Sequence, residues 1–270
     1  MPRFEVFRRY SLLLLLSGAC LFSVGCASNS GNTEAGQDIE TASDETETRR
    51  RARIRFELAI GYFQQDRTTI ALDEIKQAIL IDPMWGDSYN LRGLIYMKLG
   101  EAALAEDSFK RAMTLAPGDG SVLHNAAWLN CTLRRYAQAY PLFEQALRAK
   151  NYTDSSKTYL SMAMCQQADG RHADAERSFG KSYELDASNP VAGYNLALIH
   201  FQRHDFVKAQ FYLARLNASE YVNAQTLWLG VKTERKLGNR EAYRSLADRL
   251  QRKHAGSVEA RKYERGQFDD

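Results

Sequence analysis

From residue 51 onward the apolar positions recur at helical spacing, and the whole arrangement returns every 34 residues. Ala71, Ala105 and Ala139 are separated by that interval, as are Ala78, Ala112 and Ala146, with Ile75, Phe109 and Phe143 between them. Pro83 and Pro117 close the first two units at the same spacing, because proline cannot continue a helix. The pattern goes on through Ala163, Ala175 and Phe179, after a two-residue insertion near Asn151-Tyr152-Thr153. It then runs through Ala197, Ala209 and Leu213, and, one residue shorter, through Gly230, Ala242 and Leu246. Leu99-Gly100-Glu101, Asp169-Gly170-Arg171 and Leu237-Gly238-Asn239 mark turns between paired helices. The spacing predicts an all-α domain of about six helix–turn–helix repeats over residues 51–253, then a tail or short helix over 254–270. Pro141, about five residues into the second helix of the third repeat, predicts a kink or a late helix start.

The repeat resembles the tetratricopeptide repeat, whose stacked units form a superhelix. Small residues stand where its helices cross closely, here Ala59, Gly93 and Ala127, and larger side chains such as Tyr62, Tyr96 and Phe109 fill the space between. In that fold the first helices line a concave face. On this register their fifth, ninth and twelfth positions point into it: Phe56, Ile60 and Phe63, then Asn90, Leu94 and Met97, then His124, Trp128 and Cys131. Some tetratricopeptide domains clamp a partner's C-terminal carboxylate with Lys and Asn. The ninth positions here are Ile60, Leu94, Trp128, Met164, Leu198 and Val231, so an apolar groove accepting a helix or an extended segment is expected instead. The alternative is that these side chains bury against neighbouring helices. The first repeat has no helix before it, so Phe56, Ile60 and Phe63 are expected to stay the most exposed.

The N-terminus follows a different pattern. Arg3, Arg8 and Arg9 precede an apolar run from Tyr10 to Phe22. A membrane span needs about 20 apolar residues, so residues 1–25 are read as a secretion signal. Ser23-Val24-Gly25-Cys26 resembles the lipobox of bacterial lipoproteins, which implies acylation of Cys26. Ser23 stands where that family usually has Leu, and Ser17-Gly18-Ala19-Cys20 remains a rival site. Three acyl chains exceed what stable anchoring requires. Ala27, rather than Asp, follows the cysteine, which by the same resemblance implies the outer membrane. Residues 27–48 carry only one large apolar residue, Ile39, among Ser, Thr, Gly and acids. Residues 26–50 are therefore expected to form a disordered tether.

A formal net charge of +3 gives no argument for nucleic-acid binding, which needs a clustered basic face, and none is expected. Cys131 and Cys165 lie in the first helices of neighbouring repeats. They are expected to be buried thiols; a disulfide is possible in an oxidising compartment but does not follow from the spacing. The five histidines show no metal-ligand spacing, and no phosphate loop, nucleophile elbow or carboxylate pair occurs. Neither catalysis, a cofactor nor a small-molecule substrate is expected.

Two stretches carry a closer resemblance: HNAAWLNCTLRRYAQAYPLFEQAL at 124–147 and LWLGVKTERKLGNREAYRSLADRLQRKHAGSVEARKYERGQFDD at 227–270. With the lipobox and six repeats they are similar to the PilF/PilW family of type IV pilus biogenesis lipoproteins, including its closing Gly-x-Phe-Asp, Gly266 to Asp269. Asn151 departs from the pattern, replacing the closing proline of the third repeat. The resemblance implies a pilotin, which binds the outer-membrane secretin and promotes its localisation and multimerisation. A periplasmic lipoprotein scaffold docking cell-wall hydrolases or synthases is the second expectation.

Overall fold

The computed structural model describes residues 44–268. The signal segment, Cys20, Cys26 and most of the tether lie outside the described residues, as does Asp269. The chain divides after residue 44, and the second unit, 45–270, is compact.

The second unit holds thirteen α-helices and no strand among the described residues. Twelve form six pairs: α1 (Glu47–Gln64) with α2 (Thr68–Ile81), α3 (Gly86–Leu99) with α4 (Ala102–Leu115), and α5 (Gly120–Thr132) with α6 (Tyr136–Arg148). The series continues with α7 (Ser155–Ala168) and α8 (His172–Leu185), α9 (Pro190–Gln202) and α10 (Phe206–Ala218), and α11 (Ala224–Leu237) and α12 (Arg240–Lys253). A short α13 (Val258–Glu264) closes the series. Each pair packs within itself and on the next, and consecutive first helices also touch, α3 on α5 and α5 on α7. This is the superhelical stack that the 34-residue period predicts.

The residue types explain the crossings. Ala59, Ala71, Ala105, Ala127, Ala139, Ala163 and Ala197 are fully buried, and Ile75, Phe109, Phe143 and Phe179 fill the gaps between helices. A Cβ on Gly93 would meet the Phe109 ring at 2.6 Å, so the α3–α4 crossing requires glycine. Gly100 and Gly238 take the left-handed conformation that ends α3 and α11, at φ of 80° and 72°. Asp119, Asn189 and Asn223 cap α5, α9 and α11 through their side chains.

Two expectations are corrected. Helix begins at Glu47 rather than after residue 50, because Thr46 caps α1 by accepting from Arg49 N at 3.1 Å. Arg49 is further ion-paired to Asp82, and Arg53 to Glu45. Pro141 does not delay α6: α2, α4 and α6 start at Thr68, Ala102 and Tyr136, in strict register. Its ring sits inside the helix at an exposed position.

Candidate functional site

Phe56, Ile60 and Phe63 project from one side of α1 at i, i+4 and i+7. All three are half-buried, packing on a core of Ala59, Ala71, Ile75, Leu91 and Ile95 while keeping one flank in solvent. Phe56 meets the Trp85 ring with centroids 4.6 Å apart, and the Arg49 guanidinium lies 5.0 Å from that indole. Trp85 also donates Nε1–H to Asp87 at 3.0 Å. The Lys98 ammonium lies 5.0 Å from the Phe63 ring and pairs with Asp66. The apolar patch is thus rimmed by cations held in place by carboxylates.

Leu94 and Met97 extend the stripe, half-buried against Ala105, Phe109, Ala126 and Leu129. Asn90 Oδ1 accepts from Asn125 Nδ2 at 3.0 Å, which joins α3 to α5. Trp128 is half-buried beside Ala127, Cys131 and Phe143.

His124 does not line a groove. It is buried, its Nδ1 lies 2.8 Å from Thr158 Oγ1 on α7, and Phe143 meets it edge-on at 5.9 Å. The segment with the two-residue insertion after α6 packs at the same joint. It brings Tyr152 within 2.6 Å of the same Thr158 hydroxyl, and the Tyr152 ring fills the space that glycine leaves at position 120. Burial drives the His124 pKa down to about 4; the Lys157 ammonium adds to this and the Asp154 carboxylate opposes it. The imidazole is therefore neutral at pH 7 and serves as a structural link between repeats three and four.

The structure also supplies groups that the sequence pattern does not reveal. Cys131 and Cys165 are joined in a disulfide from α5 to α7, with Cα atoms 5.7 Å apart, rather than standing as separate thiols. Their separation of 34 residues is not the signal it resembles, because the two-residue insertion between them shifts the register: Cys131 stands four residues after Ala127 and Cys165 two after its counterpart Ala163. Ile54 and Leu58 fall outside the concave register, so that register does not select them. They lie on the side of α1 opposite Phe56 and Ile60, and are exposed. Among the described residues no group of three or more His, Cys, Asp or Glu is placed to hold a metal ion.

Three comparisons with known proteins fit this architecture. A tetratricopeptide repeat family model matches residues 86–119, the second helix pair. Over 208 residues the chain is homologous to the type IV pilus assembly protein PilF of Pseudomonas aeruginosa, at 23% identity, spanning 77% of this chain and 82% of PilF. The solved structure of that PilF superposes over 81% of this chain and 99% of its own, with a TM-score of 0.72 at 23% identity. PilW, described as a widely conserved type IV pilus biogenesis factor, superposes over 78% and 97%, with a TM-score of 0.68 at 25% identity.

Proposed function

We propose that this chain, a tetratricopeptide repeat protein homologous to PilF, is an outer-membrane lipoprotein of type IV pilus biogenesis that binds the pilus secretin. The observation that carries the reading is the similarity to PilF, which spans the repeat domain and covers 82% of the relative's own length. In this reading the acyl chains on Cys26 supply the address and hold the domain at the periplasmic face. The repeat-one surface of Phe56, Ile60 and Phe63 supplies partner choice, with Leu94, Met97 and Trp128 continuing it. A partner segment gains most where apolar flanks are still in water, because each Å² of apolar surface removed contributes about 25 cal/mol. The Cys131–Cys165 disulfide supports an oxidising compartment.

The test is a pull-down from envelope extract with the chain and with a Phe56→Asp/Phe63→Asp variant of unchanged helicity. Wild-type protein should recover the secretin, and the variant at least tenfold less. Secretin retained in full by the variant would remove the groove assignment. Recovery of cell-wall hydrolases or synthases without secretin would favour the scaffold reading.

A further inference from the structure

Between α10 and α12, the second helices of repeats five and six, a cleft of about 250 Å³ opens with α11 as its floor. Its two ends differ in chemistry. At one end Gln210 Nε2 donates to both oxygens of the Glu234 carboxylate, at 2.9 and 3.0 Å, and Glu234 is only 7% exposed. At the other, Asn217 is 5% exposed and donates Nδ2–H to the Thr226 carbonyl at 3.3 Å. Its Oδ1 is buried with no hydrogen-bond partner. Arg249 marks the same end, donating to the Asn217 carbonyl at 2.7 Å. Positions 210 and 217 are two turns apart on α10, so the ends are separated by about 10 Å. Leu213 and Leu246 wall the space between them. A Cβ on Gly230 would lie 2.8 Å from Asn217 Nδ2 and 3.0 Å from Leu246 Cδ1, so glycine is what admits the amide at this depth.

A buried amide oxygen without a donor is unfavourable and is met where a ligand completes it. A carboxylate sunk in the fold and bonded by a neutral amide attracts a cation. An apolar wall leading to that carboxylate suits the aliphatic stem of a long basic side chain. An acceptor and a guanidinium at the far end are the complement of a peptide N–H and C=O. We propose that this cleft docks a lysine- or arginine-bearing segment of a partner protein. The basic side chain runs along Leu213 and Leu246 to Glu234, while the segment's own backbone donates to Asn217 Oδ1 and accepts from Arg249. One basic side chain with the peptide group that carries it spans the distance between the ends. The site lies five repeats away from Phe56 and does not depend on which protein the repeat-one surface takes.

The test is a titration of the isotope-labelled full chain with N-acetyl-lysine-N-methylamide, following the backbone amide resonances of α10 to α12. The norleucine analogue, which keeps the stem and lacks the ammonium, is run beside it. The lysine probe should shift the Asn217, Gly230 and Glu234 amides saturably, and the norleucine probe should bind at least tenfold more weakly. Glu234→Gln, which keeps the side-chain shape, should reduce lysine binding to the norleucine level. Ala214→Trp, at an exposed position on the cleft rim, should abolish binding without entering the core. No saturable shift, equal affinity for the two probes, or full lysine binding by either variant would overturn the proposal.

Discussion

At the last repeat, α13 and the returning Phe268 cover the apolar side of α11, burying Leu227, Trp228 and Val231. At the first repeat no described helix covers the outer side of α1, and Ile54 and Leu58 stand 59% and 42% exposed. The repeat unit is the same at both ends; the closing segment makes the difference. Ser257 caps α13 by accepting from Ala260 N. Gly266, at φ 66°, turns the chain back. Phe268 then lands 5.2 Å from the Trp228 ring, with the Arg235 guanidinium 3.9 Å from its centroid. A stack of repeats needs a polar outer face at each end to remain soluble. This one builds that face at its C-terminal end and keeps apolar flanks at its first repeat, which is why the first repeat is the stronger place to look for a partner.

The sharpest way to break the comparison is to truncate an aromatic residue at each end. Trp228→Ala removes a buried indole beneath the cap and should cost about 3–5 kcal/mol in urea unfolding. Phe56→Ala, at a half-buried position, should cost about 1–2 kcal/mol. Equal costs would mean that the two ends are closed alike.

The middle of the stack sharpens it further. The Cys131–Cys165 disulfide closes a loop of 34 residues, and a loop of that length stabilises by about 3–4 kcal/mol through the unfolded chain. It also ties repeats one to three to repeats four to six. With Cys131→Ser/Cys165→Ser, the open half should exchange its amide hydrogens faster than the capped half, and a single unfolding transition should broaden or split.

The His124–Thr158 link crosses the same joint and responds to pH. The folded pKa of about 4 is below the ordinary value of 6.5, so between those values the folded state binds fewer protons than the unfolded state. Its contribution is therefore present in full above pH 6.5 and is lost as pH falls toward 4, by roughly 3 kcal/mol. Burial lowers the His200 pKa as well, which adds to the loss in the same direction. Unfolding midpoints measured from pH 7 to 4 should fall less steeply for His124→Asn than for wild type.

How much of this is legible in the sequence depends on whether the signal is periodic. Ala71, Ala105 and Ala139, repeating at 34, locate the crossings because a close helix contact admits nothing larger. His124 shares the register of Phe56 and Asn90, yet it is buried. Its partners are the Phe143 ring and the Thr158 hydroxyl on α7, beyond the irregular joint between repeats three and four, where the 34-residue period does not carry across. The cleft at Glu234 and Asn217 leaves no sequence signal at all, since it is built from three helices at unrelated positions. Pro141 misleads because local propensity takes no account of the packing of Ala139 and Phe143 that holds α6 in place.

The smallest expected effect tests the open end most directly. Ile54→Ser/Leu58→Ser removes apolar side chains that no described helix covers, so stability should change by less than about 0.5 kcal/mol. A cost near that of Trp228→Ala would show that something covers α1 in solution and that the first repeat is closed after all. Unchanged stability with weakened secretin recovery would add Ile54 and Leu58 to the docking surface, which would then wrap both sides of α1. Unchanged stability with unchanged recovery would confine docking to the concave flank of Phe56, Ile60 and Phe63. Because the variant leaves the core intact, a loss of binding here can be assigned to the surface rather than to partial unfolding.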